Sequence, residues 1–186
     1  MVRALILAAG GARRFGSAKQ LALLDGKPLL QHVVELAEPW DPLVVLGARA
    51  DEIRAAVPLP RVVVAEDWAG GQSASLKAGV TALGDAGRVL VLLGDMPFVT
   101  RAVIEGVLAA GATARATYGG APGHPVVLGR DVLREVPSLA GDEGARSLLR
   151  DAARFEAAHL CSPADIDRPS DLHLHDDEGR PRPTRG

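Results

Sequence analysis

Four short apolar runs, each stopped by turn residues and separated by helix-like stretches, constrain the fold of this chain most. They are Val2 to Ala8, Leu43 to Leu46, Val62 to Ala65 and Val89 to Leu93. A run this apolar, without polar alternation, reads as a strand covered on both faces. Leu29 to Leu36 has apolar residues at helical spacing, with Pro28 at a first-turn position and Pro39 as its stop. Ala50 to Val57 and Ser73 to Leu83 read as further helices, closed by Pro58 and by a turn from Gly84 to Gly87. Thr100 stands at an N-cap position before a helix from Arg101 to Ala110. Ala112 to Tyr118 and Pro125 to Leu128 are strand candidates on either side of a turn-rich Gly119 to Gly123. Asp131 to Val136 and Glu143 to Arg150 read as helical, and Arg154 to Leu160 as a last strand. Buried strands alternating with helices imply an α/β chain with three α/β/α layers and a mostly parallel sheet. In such sheets ligands bind at the carboxyl ends of strands, near a topological switch point.

The chain has 186 residues, a length that fits one domain. Residues 1–174 are expected to form it. Residues 175–186, HDDEGRPRPTRG, are polar and without hydrophobic period, and are expected to be a disordered tail. Lys plus Arg number 21 against 23 Asp plus Glu, a net charge of −2. That balance argues against a general nucleic-acid binder, which needs a clustered basic excess. Aromatic residues are 3%, too few for a base-stacking surface. No run approaches about 18 apolar residues, so no membrane helix is expected. The opening MVRALILAAGG lacks a signal-peptide layout, and Cys161 is a lone cysteine; both fit a reducing cytoplasm.

The segment LAAGGARRFGSAKQL, Leu7 to Leu21, follows the first apolar run. Gly10, Gly11 and Gly16 allow a tight turn that points backbone N–H groups at an anion. Arg13, Arg14 and Lys19 add positive charge. The segment therefore reads as a phosphate cradle, or else as a surface turn with solvated arginines. It is not the dinucleotide fingerprint, because Gly10 and Gly11 are adjacent. It is not a P-loop, because Ser17 and Ala18 follow Gly16 and Lys19 comes too late.

Other residues carry two readings each. Asp95 ends an all-apolar strand, where a carboxylate suits a cation such as Mg²⁺ or bonds its own turn. Ser73 can contact a nucleobase edge or cap its helix. His124 lies in a Gly-flanked turn, and His173 and His175 fall at the start of the tail. In DIDRPSDL, Asp165 and Asp167 alternate, so an extended backbone points them the same way. Asp167 also suits a helix start.

Leu7, Ala8, Ala9, Gly10, Arg14, Gly16 and Lys19, followed by DGKPLL, resemble the opening signature of the MobA-like nucleotidyltransferases, and within them the molybdenum cofactor cytidylyltransferases. Phe15 replaces a usual Met, and Ala12 a common small hydroxyl residue. GGQSASLKAGV, LLGDMPFVT, GHPVVL, GDEGARSLL and DIDRPSDL continue the resemblance in order, over about residues 2 to 172. It implies a Rossmann-like sheet of the nucleotide-diphospho-sugar transferase type. It also implies an Mg²⁺-dependent enzyme moving a nucleoside monophosphate from an NTP to a phosphorylated acceptor such as molybdopterin, with release of pyrophosphate. Leu7, Ala8, Ala9, Gly10, Gly11, Arg14, Lys19, Gln72, Ser73 and Ser75 would then hold the nucleotide. Arg14, Lys19 and Asp95 would be catalytic, Asp95 and Asp167 would hold the metal, and His124 would meet the acceptor. Arg13 falls outside the pattern and reads as a solvated neighbour. The Ala8-Ala9-Gly10 opening favours CTP. The alternatives are a GTP-using guanylyltransferase, a sugar-phosphate nucleotidyltransferase, and a non-catalytic nucleotide-binding or cofactor-insertion module.

Overall fold

The computed structural model describes residues 1–11, 18–141, 144–164 and 166. In chain order it contains β1 (Val2–Ala8), the short strands β2 (Leu23–Leu24) and β3 (Lys27–Pro28), α1 (Leu29–Ala37), β4 (Leu43–Leu46) and α2 (Ala50–Ala56). Then come β5 (Val62–Val64), α3 (Gln72–Leu83), β6 (Arg88–Leu93), α4 (Arg101–Ala110), β7 (Ala114–Tyr118), β8 (Ala121–Gly129), α5 (Arg130–Glu135) and β9 (Ala153–Glu156). The main sheet has the order β5-β4-β1-β6-β8-β7-β9, and β2 and β3 form a separate small hairpin.

β5, β4, β1 and β6 are parallel, β8 runs antiparallel to both β6 and β7, and β9 is parallel to β7. The chain builds outward from β1 to β4 and β5, then returns across α3 to place β6 on the other flank of β1. The strand order therefore reverses between β1 and β6, which makes their carboxyl ends the switch point.

Residue alternation divides the core between the two faces. Ala4, Ile6, Ala8, Val44, Leu46, Leu90 and Leu92 pack with Leu30 and Val33 of α1 and Val103, Ile104 and Val107 of α4. Leu5, Ala9, Leu43, Val45, Val89 and Val91 pack with Leu76 and Leu83 of α3. These runs are apolar at nearly every position, Arg3 and Arg88 standing near the starts of β1 and β6, because both faces are covered, each large side chain gaining about 1.5–3 kcal/mol from burial. A smaller cluster joins Leu24, Leu29, Phe98 and Ile166.

Several boundaries differ from expectation. Ala121, Pro122 and Gly123 belong to β8, not to the turn. Gly119 and Gly120 alone make that turn, with φ of 59° and 80°, and Tyr118 pairs with Ala121 across it. Two consecutive left-handed residues are what a tight hairpin requires. The described part of the expected helix from Glu143 to Arg150 holds only a 3₁₀ turn, Arg146–Leu149. Left-handed Gly141 and Gly144, with φ of 66° and 54°, prevent a longer helix. β9 ends at Glu156 rather than Leu160, because the Glu156 carboxylate accepts from the Ala158 N–H and turns the chain. Pro28 precedes α1 as its N-cap rather than entering its first turn, whereas Thr100 caps α4 by accepting from Val103 N at 3.4 Å. The expected tail, 175–186, lies outside the described residues.

Candidate active site

β1 and β6 run in register, Ile6 beside Leu92 and Leu7 beside Leu93, and Gly94 N donates to Leu7 O at 2.9 Å. The segments Ala8 to Gly11 and Gly94-Asp95 therefore leave the sheet side by side. Ala8 and Ala9 are buried, and Gly10 is exposed. Among the described residues, nothing lies within 4 Å of a Cβ added at Gly10, which leaves that backbone open to a ligand's approach.

Two side chains hold this loop from behind. Gln20 is buried, and its Nε2 donates to Ala8 O at 2.7 Å and to Gly10 O at 3.5 Å. Trp68 lays its ring against Gly11 and its Cβ against Gly47. A Cβ at Gly47 would fall 2.6 Å from Trp68 Cβ and 2.7 Å from Ala9 O, so this contact needs glycine at 47.

Lys19 begins the 3₁₀ turn Lys19–Leu21. Its Nζ lies 2.9 Å from Asp95 Oδ2, with the two side chains 12% and 30% exposed. The partial shielding makes this pair stronger than a surface ion pair and leaves Asp95 reachable. Ile166, fully buried, donates its N–H to Asp95 O at 3.1 Å. Asp165 and Asp167 are the chain neighbours of that bond. They lie outside the described residues, as do Arg13 and Arg14.

A cleft of about 170 Å³ opens beside this corner. Leu7, Gln72, Leu76, Arg115, His124 and Arg146 are among its walls. Leu7 and Gln72, expected from sequence to hold the nucleotide, and His124, expected to meet the acceptor, line one cavity. Tyr118 Oη donates to His124 O at 2.7 Å and fixes that backbone, and burial beside Cys161 pushes the phenol's pKa up. Burial first, and then the charge of Arg115, depress the His124 pKa to about 4, against an upward pull from Asp95. Its imidazole is therefore neutral near pH 7, and Asp95 is close enough for its charge to be felt there.

Ser73 and Ser75 are buried in the first turn of α3, whose N-cap is Gly71, so the capping alternative for Ser73 is corrected. Ser73 Oγ donates to Ala140 O at 3.3 Å and lines a second, more open hollow on the other side of α3, with Gly70 and Lys77. The structure thus brings Gln72, but not Ser73, to the His124 cleft. Sequence reasoning passed over Gln20, Arg115 and Arg146. Arg115 carried a signal, since it is the one charge inside the strand ARATY.

Among the described residues no three His, Cys, Asp or Glu side chains cluster as a metal site. Asp95 is a hard oxygen donor at a strand end, which suits Mg²⁺ or Mn²⁺ where substrate phosphates and waters complete the shell. Also among the described residues, no helix is long and apolar enough to cross a membrane.

Residues 4–158 match the family model of the MobA-like NTP transferase domain. The crystal structure of the Mycobacterium tuberculosis rv0371c homolog from mycobacterium sp. strain JC1 is 31% identical, covers 90% of each chain and superposes with a TM-score of 0.76. Rv0371C from Mycobacterium tuberculosis H37Rv, solved as a complex with manganese, is 28% identical over 83% of this chain and 86% of that one, with a TM-score of 0.70. The bifunctional protein GlmU of Dechloromonas aromatica (strain RCB) is 35% identical over 113 residues, 58% of this chain. The chain spans about a quarter of the length of the curated relatives it matches. The chain belongs to the MobA-like NTP transferase domain family, a family of nucleotidyltransferases.

Proposed function

We propose that this member of the MobA-like NTP transferase family is a cytidylyltransferase. It moves CMP from CTP to a phosphorylated acceptor, molybdopterin or its molybdenum form, and releases pyrophosphate. The observation that carries the proposal is the Lys19–Asp95 pair, 2.9 Å apart at the adjoining carboxyl ends of β1 and β6, beside the open backbone of Gly10.

An acceptor phosphate oxygen attacks the α-phosphorus, and the bond from that phosphorus to the bridging oxygen breaks as pyrophosphate leaves. The acceptor is already an anion, so positioning and charge neutralisation do the work rather than a general base. Gly10, Gly11 and Arg14 receive the triphosphate, and Lys19 meets charge that develops around the α-phosphate. Asp95 and Asp167 hold Mg²⁺, which when bound offsets triphosphate charge. Support for Asp167 comes from the backbone bond of its neighbour Ile166 to Asp95 O, and support for a divalent ion from the manganese complex of Rv0371C. Leu7, Ala8 and Ala9 shape the base pocket together with Gln72 and Ser75, whereas Ser73 faces the hollow on the other side of α3 and is left out of it. His124 faces the acceptor. The Ala8-Ala9-Gly10 opening supports CTP over GTP.

The test is pyrophosphate release with each of four NTPs, Mg²⁺, and either molybdopterin or sugar phosphates as acceptor. CTP with the pterin should be fastest. Faster turnover with GTP would make the chain a guanylyltransferase, and turnover with sugar phosphates alone a sugar-activating enzyme. CTP binding without pyrophosphate release would make it a non-catalytic nucleotide-binding or cofactor-insertion module.

A further inference from the structure

The cleft beside Asp95 carries an unbalanced positive charge. Arg115 lies on β7, one strand in from the sheet edge, paired in register with Val126 on β8 and Arg154 on β9. Its Nε is shut away from solvent and finds no hydrogen-bond acceptor among the described residues. Arg146, from the turn after Gly144, lines the same cleft, and its charge lies near enough to act on Arg115. Among the described residues lining the cleft there is no Asp or Glu. A buried guanidinium N–H without an acceptor is costly, and two arginines without a carboxylate repel one another. Such an arrangement is relieved by an anion that takes hydrogen bonds from both.

The other walls fit an anion with an organic body. His124 is neutral and can donate from one ring nitrogen, and Leu76, Val91 and Val126 supply apolar surface. Guanidinium groups match the tetrahedral edge of a phosphate with paired N–H donors. Leu7 joins this cleft to the reaction corner, because its carbonyl accepts the Gly94 N–H one residue before Asp95.

We infer that Arg115 and Arg146 form a phosphate anchor that seats the phosphomonoester of the acceptor, apart from the loop that takes the nucleotide's triphosphate. The assignment rests on the nucleotidyltransferase reading for the word acceptor; the anion site itself is tested without turnover. Arg115 and Arg146 touch the substrate's phosphate and so set acceptor specificity, excluding analogues that lack it.

Inorganic phosphate is titrated calorimetrically onto the chain saturated with Mg²⁺ and a CTP analogue whose α,β-bridging oxygen is replaced by CH₂. Arg115→Gln and Arg146→Gln are each expected to weaken phosphate binding about tenfold or more, while the analogue's own affinity stays within about twofold. Arg115→Lys is expected to fall between, since it keeps charge but loses the paired donors. Arg146 is exposed, so Arg146→Gln gives the answer even where Arg115→Gln disturbs folding. Phosphate affinity unchanged in Arg146→Gln would overturn the anchor. Equal losses of phosphate and analogue binding would overturn it too, by assigning the arginines to the nucleotide. A chain that takes no CTP analogue would instead overturn the cytidylyltransferase reading. The titration without nucleotide, wild type against Arg146→Gln, would still decide the anchor.

Discussion

Lys19 and Asp95 come from opposite sides of the switch point and meet with Nζ 2.9 Å from Oδ2. Seventy-odd residues separate them in sequence, yet the parallel pairing of β1 with β6 makes them neighbours. In this state the ammonium and the carboxylate neutralise one another; in the proposed reaction each turns to the nucleotide or its metal.

Lys19→Ala is therefore expected to lower kcat about 10²- to 10³-fold, the size of loss typical when one group that stabilises transition-state charge is removed. The KM for CTP should change much less. Steady-state kinetics decide it, and an unchanged kcat with a raised KM would place Lys19 in ground-state binding.

Gln20→Leu tests whether the cradle is held from behind. The substitution keeps volume but leaves the Ala8 carbonyl without its 2.7 Å donor. Losing such a bond costs about 1–3 kcal/mol. A raised KM for CTP and a lower Tm are expected together. Wild-type values of both would show that the loop holds its shape unaided.

Gly47→Ala should destabilise the fold, because the new methyl meets Trp68 Cβ and the Ala9 carbonyl at 2.6 and 2.7 Å. Overpacking against backbone costs about 1–3 kcal/mol. For a chain of this length that corresponds to a Tm lower by roughly 2–12 °C, measured by thermal unfolding. A Tm at the wild-type value would mean that Trp68 moves aside freely.

Much of the fold was legible because its strands are covered on both faces, so β1, β4 and β6 show as apolar runs. Residues Ala121 to Gly123 misled, since Ala-Pro-Gly has turn composition while the two left-handed glycines before it already complete the hairpin. Lys19 and Asp95 were legible as separate motifs, but their pairing depends on the return of β6 to the flank of β1. Gln20 was not legible, because its partners are backbone carbonyls 10 and 12 residues away. Arg146 was hidden for the same reason, its significance arising only where the turn after Gly144 meets β7. Arg14 and Asp167 fall outside the described residues, and their roles rest on resemblance.

Glu156 makes stability depend on pH. Its carboxylate accepts N–H bonds from Gly119, Gly120 and Ala158 and the hydroxyl of Thr117. The Gly119 and Gly120 bonds lead in lowering its pKa to about 2, from 4.5. A carboxyl with a depressed folded-state pKa stabilises the fold above its unfolded value and loses that contribution as pH falls through the folded one. The loss therefore spans pH 4.5 down to about 2. Denaturant unfolding at pH 7 and pH 2.5 should show a smaller drop in Glu156→Gln than in wild type. Equal drops would mean that the hairpin turn does not depend on the charge.

The most direct test of the central claim follows the α-phosphorus. Wild-type chain with CTP labelled at that phosphorus, Mg²⁺ and molybdopterin should transfer the label to the pterin, one pyrophosphate appearing per labelled product, and Asp95→Asn should nearly abolish the transfer. Label that stays in CTP would contradict cytidylyl transfer, and a γ-phosphate that reaches the pterin in its place would contradict nucleotidyl transfer at the Lys19–Asp95 corner.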